Sequence, residues 1–224
     1  MASNNPANPS VKEQREAKRA AKVAVLKKQQ AKEKRNRIIG FTAGGLVVVL
    51  ALGAVITFVV AGSNRVDPDD IAISGLEEFP GLTANHIDPN PMDYEAAYGM
   101  TPPAGGDHFG AWLNCGVYTE PQQNENAVHS LEHGAVWVTY DPELVDQDGV
   151  DALIDELPST YVVLSPYPDL PAPVVASAWG AQVQLDGVDD ARLGEFVDKF
   201  WRNPDLPEAG AACTGAIDGP GRVL

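Results

Sequence analysis

Residues 126–141 read Asn-Ala-Val-His-Ser-Leu-Glu-His-Gly-Ala-Val-Trp-Val-Thr-Tyr-Asp, and the two halves of this stretch follow different patterns. The first half carries His129 and His133 four positions apart, with Glu132 between them. If helical, that spacing is one turn, and both imidazoles share a face. Gly134 interrupts the pattern. Ala135–Tyr140 is then apolar, β-branched and aromatic, the composition of a strand.

Working outward toward the C-terminus, the regularity continues. Val150–Leu157 predicts a helix ended by Pro158, and Tyr161–Ser165 a second strand. Val174–Leu185 predicts one or two more strands, with Gly180 as a bend. Asp189–Trp201 places Leu193, Phe196, Val197 and Phe200 at the spacing of an amphipathic helix. The resulting β-α-β-β-α order predicts an α+β domain with a mixed sheet and two helices. Thioredoxin-like folds share that order, although nothing in this chain supplies their redox chemistry. The tail from Asn203 is irregular.

Toward the N-terminus, residues 85–125 hold turn-rich runs such as Asp88-Pro89-Asn90-Pro91 and Pro102-Pro103-Ala104-Gly105-Gly106, which predict a long ordered loop. Residues 62–84 read as a tether, placing the histidine-bearing domain at 85–224. Residues 38–61 contain no charged side chain and at about 1.5 Å per residue span roughly 36 Å as a helix, which predicts a transmembrane segment. Within it, Gly40 and Gly44 have the GxxxG spacing that lets a second helix approach. Residues 11–37 are rich in Ala, Lys, Arg, Gln and Glu and predict a basic helix, which fixes topology or lies on anionic lipid. Residues 1–10 are Asn/Pro/Ser-rich. The expected organisation is a basic cytoplasmic segment (1–37), one transmembrane helix, and an extracytoplasmic domain on a single-pass cell-membrane protein.

Charge supports that division. Eleven of the 16 Lys and Arg lie between Lys12 and Arg37 against three acids, a net of +8, whereas residues 38–224 hold five basic and 28 acidic side chains, a net of −23. So acidic a domain repels phosphate, which argues against nucleic acid as a partner. Cys115 and Cys213 form no CxxC and predict one long-range disulfide in an oxidising compartment, which would staple the tail to the histidine-bearing loop.

All four histidines fall between residues 86 and 133. His129 and His133, with His108 and His86, form a candidate metal-ligand set, and Asp107, Glu132 and Tyr118 are alternative oxygen donors. Imidazoles suit Zn²⁺ or Cu²⁺, while Met92 and Met100 would suit Cu⁺. The competing structural role is histidines hydrogen-bonded to backbone carbonyls, organising a loop without regular secondary structure. His129-Ser-Leu-Glu132-His133 also spells H-x-x-E-H, the inverted zinc-protease signature, but Gly134 and the strand behind it leave no room for the sustained helix that chemistry needs. Ser130 lacks the G-x-S-x-G context of a nucleophile.

The chain resembles a family of membrane-anchored, mainly bacterial proteins, the domain of unknown function 3105 family. His86, Tyr98, Pro102-Pro103-Ala104-Gly105-Gly106-Asp107-His108, Gly116-Val117-Tyr118, Val128-His129-Ser130-Leu131-Glu132-His133-Gly134, Ser165-Pro166 and Ala178-Trp179-Gly180 carry the likeness. Ala104-Gly105 stands where a Thr/Ser-Gly pair is more usual. The resemblance implies an outward-facing domain associated with copper handling or respiratory oxidase assembly. The expected function is therefore binding or delivery of copper, with zinc as the other metal, near a membrane metalloenzyme. A non-catalytic accessory subunit of a membrane complex is the alternative, and a zinc metallopeptidase the third reading.

Overall fold

The computed structural model describes residues 67–223, together with helical, exposed positions 22, 27–29, 32 and 34. Its centre is strand β3 (Val136–Tyr140), in which all five residues are buried. Alternation sends Val136, Val138 and Tyr140 to one face and Trp137 to the other. A strand covered on both sides has no solvated face, so it reads as an unbroken apolar run.

Six strands form one mixed sheet in the order β1-β6-β5-β3-β4-β2. They are β1 (Leu76–Glu78), β2 (Gly116–Val117), β3, β4 (Val162–Pro166), β5 (Val174–Ala178) and β6 (Ala181–Leu185). β3 and β4 run parallel, with helix α3 (Gln147–Glu156) lying between them in the chain. β5 and β6 form a hairpin around Trp179 and Gly180, and β5 pairs antiparallel with β3. Gly180 takes φ +75°, the left-handed turn geometry that glycine adopts without strain.

The first face of the sheet buries Val150 and Leu153 of α3 and Leu193 and Phe196 of α4 (Arg192–Phe200) against β3–β6. The second face carries Trp137 and Val163, and Ala127 and Leu131 of helix α2 (Asn124–Glu132) pack on it with Leu113, Tyr118 and the Cys115–Cys213 disulfide. Trp137 Nε1 donates to Ser165 Oγ at 3.0 Å, so the buried indole keeps its hydrogen bond. Helix α1 (Tyr94–Tyr98), closed at each end by the Asp93 side chain and Gly99, sits in the loop that precedes α2.

The mixed α+β sheet and the β-α-β-β-α order hold from β3 onward, but within residues 67–223 four α-helices and two edge strands, β1 and β2, replace the simpler two-helix picture. Part of the expected tether is built into the fold: β1 pairs with β6, Ile73 enters the core, and Lys199 Nζ donates to the carbonyls of Pro68 and Ile71. The expectation of a transmembrane helix, and with it single-pass placement in a cell membrane, is corrected. No helix among the described residues is long and apolar enough to cross a membrane. The expected span, 38–61, and most of the basic segment before it lie outside the described residues.

Candidate metal centre

Helix α2 is unusual in being buried on every side although six of its nine residues are polar: Glu125 through Glu132 are all buried. Its polar side chains terminate a loop. Asn126 Nδ2 donates to Ala111 O at 2.6 Å, Ser130 Oγ to Leu113 O at 2.6 Å, and His129 Nδ1 to Phe109 O at 2.7 Å. One helix face thus supplies the hydrogen bonds that residues 109–113 cannot make in a ladder. The same use of Ser130 removes it from any nucleophilic role.

The other two buried histidines repeat the arrangement. His108 Nδ1 donates to Gly106 O, and His133 Nδ1 to Ala212 O, each at 2.8 Å. A carbonyl oxygen only accepts, so all three Nδ1 atoms carry the proton, and each neutral ring keeps its lone pair on Nε2. Gly134 follows with φ +101°, a non-helical backbone conformation just past the end of α2, and a side chain there would meet the Arg202 backbone. Gly106, with φ +105°, lies under the Tyr98 ring and turns the chain into His108.

The four imidazoles lie together. Ring centroids are 5.1 Å apart for His86–His108 and His86–His129, 4.8 Å for His108–His129 and 4.7 Å for His129–His133. His108, His129 and His133 are buried, and His86 is exposed at the rim, joined to His108 by a β-bridge. Two carboxylates face them. His108 Nε2 lies 3.0 Å from Glu132 Oε2, yet the pair lacks hydrogen-bond geometry, and neither atom has another partner among the described residues. Glu208, half exposed on the C-terminal tail, places Oε2 3.0 Å from His133 Nε2 and 3.6 Å from His129 Nε2.

A lone pair and a carboxylate oxygen repel at such distances unless a cation lies between them. One candidate is a proton. Burial pushes His108 down, but the Glu132 carboxylate and the Gly106 carbonyl outweigh it and hold the ring above its ordinary pKa. Burial pushes His129 down, and the neighbouring His108 and His133 add to it. Burial pushes Glu208 up, but the His133 and His129 rings more than offset that and lower it. The second candidate is a metal ion. The donors form two sets, His86, His108, His129 and Glu132, and His129, His133 and Glu208, with the ligand atoms of each set within 4.8 Å of one another. Tetrahedral donors at about 2 Å from an ion are roughly 3.3 Å apart, so either set closes on an ion with small side-chain shifts. Imidazoles that donate Nδ1–H to a carbonyl and turn Nε2 to a shared point have the outer-shell support usual for metal ligands. These His and Glu groups could hold a metal.

The other expected donors go elsewhere. Tyr118 is buried and gives its hydroxyl proton to Asn114 O, and Asp107 accepts from Asn85 N and Nδ2 at 3.0 and 2.9 Å. Met100 Sδ accepts from Ala104 N at 3.3 Å, and the Met92 backbone N donates to Glu125 Oε1 at 2.7 Å. Cys115 and Cys213 form the disulfide, with Cα atoms 5.4 Å apart. Glu208 was not anticipated. It lies in the irregular tail, and only the tail's stapling by Cys213 hinted at its position.

No curated protein and no solved structure matches the chain. One family model does, over residues 90–215, a span that includes His108, His129, Glu132, His133, Glu208 and both cysteines and leaves out His86. The chain belongs to the family described as Protein of unknown function (DUF3105).

Proposed function

We propose that this protein binds a copper ion through His129, with His108, His86 and Glu132 or with His133 and Glu208, and that its task is to hold that ion for, or pass it to, a metalloenzyme. One observation carries the reading. Glu132 is a buried carboxylate, 3% exposed, that faces the His108 ring at 3.0 Å without hydrogen-bond geometry, and no Lys or Arg among the described residues pairs with it. Burying such a charge without a cation is costly. The nitrogen and oxygen donors suit Cu²⁺ or Zn²⁺, and Cu²⁺ is the tighter of the two in the general affinity order.

A peptidase is disfavoured on the same geometry. Glu132 would be the general base, but its carboxylate is enclosed with His108, and α2 ends at that residue. The full-length chain, purified without chelators, should contain close to one equivalent of copper, or bind Cu²⁺ with Kd well below about 1 µM. His129→Ala, which removes the one residue common to both donor sets, should abolish tight binding. A protein that holds neither Cu²⁺ nor Zn²⁺ below about 100 µM refutes the proposal and leaves the histidines as loop anchors.

A further inference from the structure

The two donor sets share one residue, His129. Its Nδ1 is committed to Phe109 O at 2.7 Å, so Nε2 is the only nitrogen it can offer to either set. A single imidazole lone pair cannot bond two ions at about 2 Å. Charge leads to the same limit. Each set holds one carboxylate, Glu132 or Glu208, and the two together neutralise one divalent cation but not two.

We infer that the cluster is a one-ion, two-position site: the ion sits either among His86, His108, His129 and Glu132, or among His129, His133 and Glu208, and His129 Nε2 is the ligand it keeps when it moves between them. This rests on the metal-binding reading above. The positions differ in kind. In the first, three of four donors are buried, and in the second the carboxylate is half exposed on the tail. The second is therefore the exchange position, where a partner's ligand can displace Glu208, and the first is the holding position. Such a shuttle suits delivery, because the ion can be presented without breaking every bond at once.

The test is a titration of the full-length chain with Cu²⁺, and separately Zn²⁺, by equilibrium dialysis with metal analysis. It compares wild type, His86→Ala, Glu208→Gln and the double variant. His86 and Glu208 are the two exposed donors, so folding, checked by thermal melting, does not depend on them. With two alternative positions the association constants add. Each single variant then loses affinity only a few-fold, because the ion moves to the intact position. The double variant loses far more than the product of the single losses, about tenfold or more beyond it. Wild type saturates at one ion. Two ions per wild-type chain overturn the inference, as do losses that simply multiply, which describe one ion held by all donors together. A single variant that loses as much affinity as the double variant also overturns it, because only one position is then used. Absence of binding in wild type refutes the metal reading itself.

Discussion

The Cys115–Cys213 bridge should be the largest single covalent contribution to stability, and the tail it closes should loosen when it is removed. It joins residues 98 positions apart in sequence, and both half-cystines are buried. On the chain-entropy account a loop of that length restricts the unfolded chain by nearly 5 kcal/mol, and measured losses of native disulfides span about 2–5 kcal/mol. Residues 202–212 of the tail are otherwise held near the site by a short series of hydrogen bonds. Arg202 N donates to Gly134 O at 2.9 Å, Gly210 N to His133 O at 3.3 Å, Tyr161 Oη to Ala211 O at 2.9 Å and His133 Nδ1 to Ala212 O at 2.8 Å. Each contributes about 1 kcal/mol net, so the tail stays mostly folded but exchanges more freely. The Cys115→Ser, Cys213→Ser double variant should unfold in urea about 3 kcal/mol earlier, a midpoint shift of roughly 1.5 M at an m-value near 2 kcal/mol/M. Hydrogen exchange at Gly210 should accelerate while exchange in β3 continues to follow the global free energy. A midpoint within about 0.2 M of the oxidised protein would mean that the bridge constrains nothing the native contacts do not already fix.

Two further outcomes follow from the geometry. Gly134→Ala should destabilise by about 2 kcal/mol, from the cost of positive φ in an L-residue and from a Cβ placed 3.1 Å from Arg202 Cα, and calorimetry on the metal-free chain checks it. Asp190 is held well below the usual carboxylate range, first by hydrogen bonds from Arg192 and then by backbone donors that outweigh its desolvation. A depressed acid stabilises the fold above its unfolded pKa of about 3.9 and loses that contribution as pH falls through its folded value. Asp190→Asn should therefore lower stability by about 1 kcal/mol at pH 7 and progressively less below pH about 4, read from urea midpoints across pH.

What was legible in the sequence depended on period. β3 and β5 show themselves because apolar residues fill most positions of strands covered on both sides, β6 because Ala181, Val183 and Leu185 alternate with Gln182 and Gln184, and α4 because Leu193 and Phe196 mark one buried stripe. β1 and β2 have three and two residues, too few to show any alternation, and their pairing comes from β6 and β4. Helix α2 hides for a different reason. Asn126, His129 and Ser130 point inward to carbonyls of residues 109–113, so its apolar stripe is reduced to Ala127, Val128 and Leu131 and is easily missed. The histidines could be singled out because all four crowd into a short span of chain, whereas Glu208 reaches them only through the fold of the tail.

The structural and the metal-binding roles of these histidines are not rivals at the level of atoms. Nδ1 of each buried ring closes a loop carbonyl, which is the structural role, and that leaves Nε2 for the other. The question is whether the loop needs imidazoles at all. On the same helix, Asn126 and Ser130 satisfy Ala111 and Leu113 with neutral side chains and bring no charge into the interior. A purely structural solution could have used such residues at 108, 129 and 133. Instead three titratable rings are buried with a carboxylate, Glu132, whose only positive neighbour among the described residues is an imidazole that must take a second proton to oppose it. A divalent cation entering there opposes the carboxylate more strongly than a ring proton does, so adding Cu²⁺ or Zn²⁺ should raise the melting temperature of wild type while leaving His129→Ala, which lacks the residue common to both donor sets, unmoved, and equal shifts in both would sink the argument.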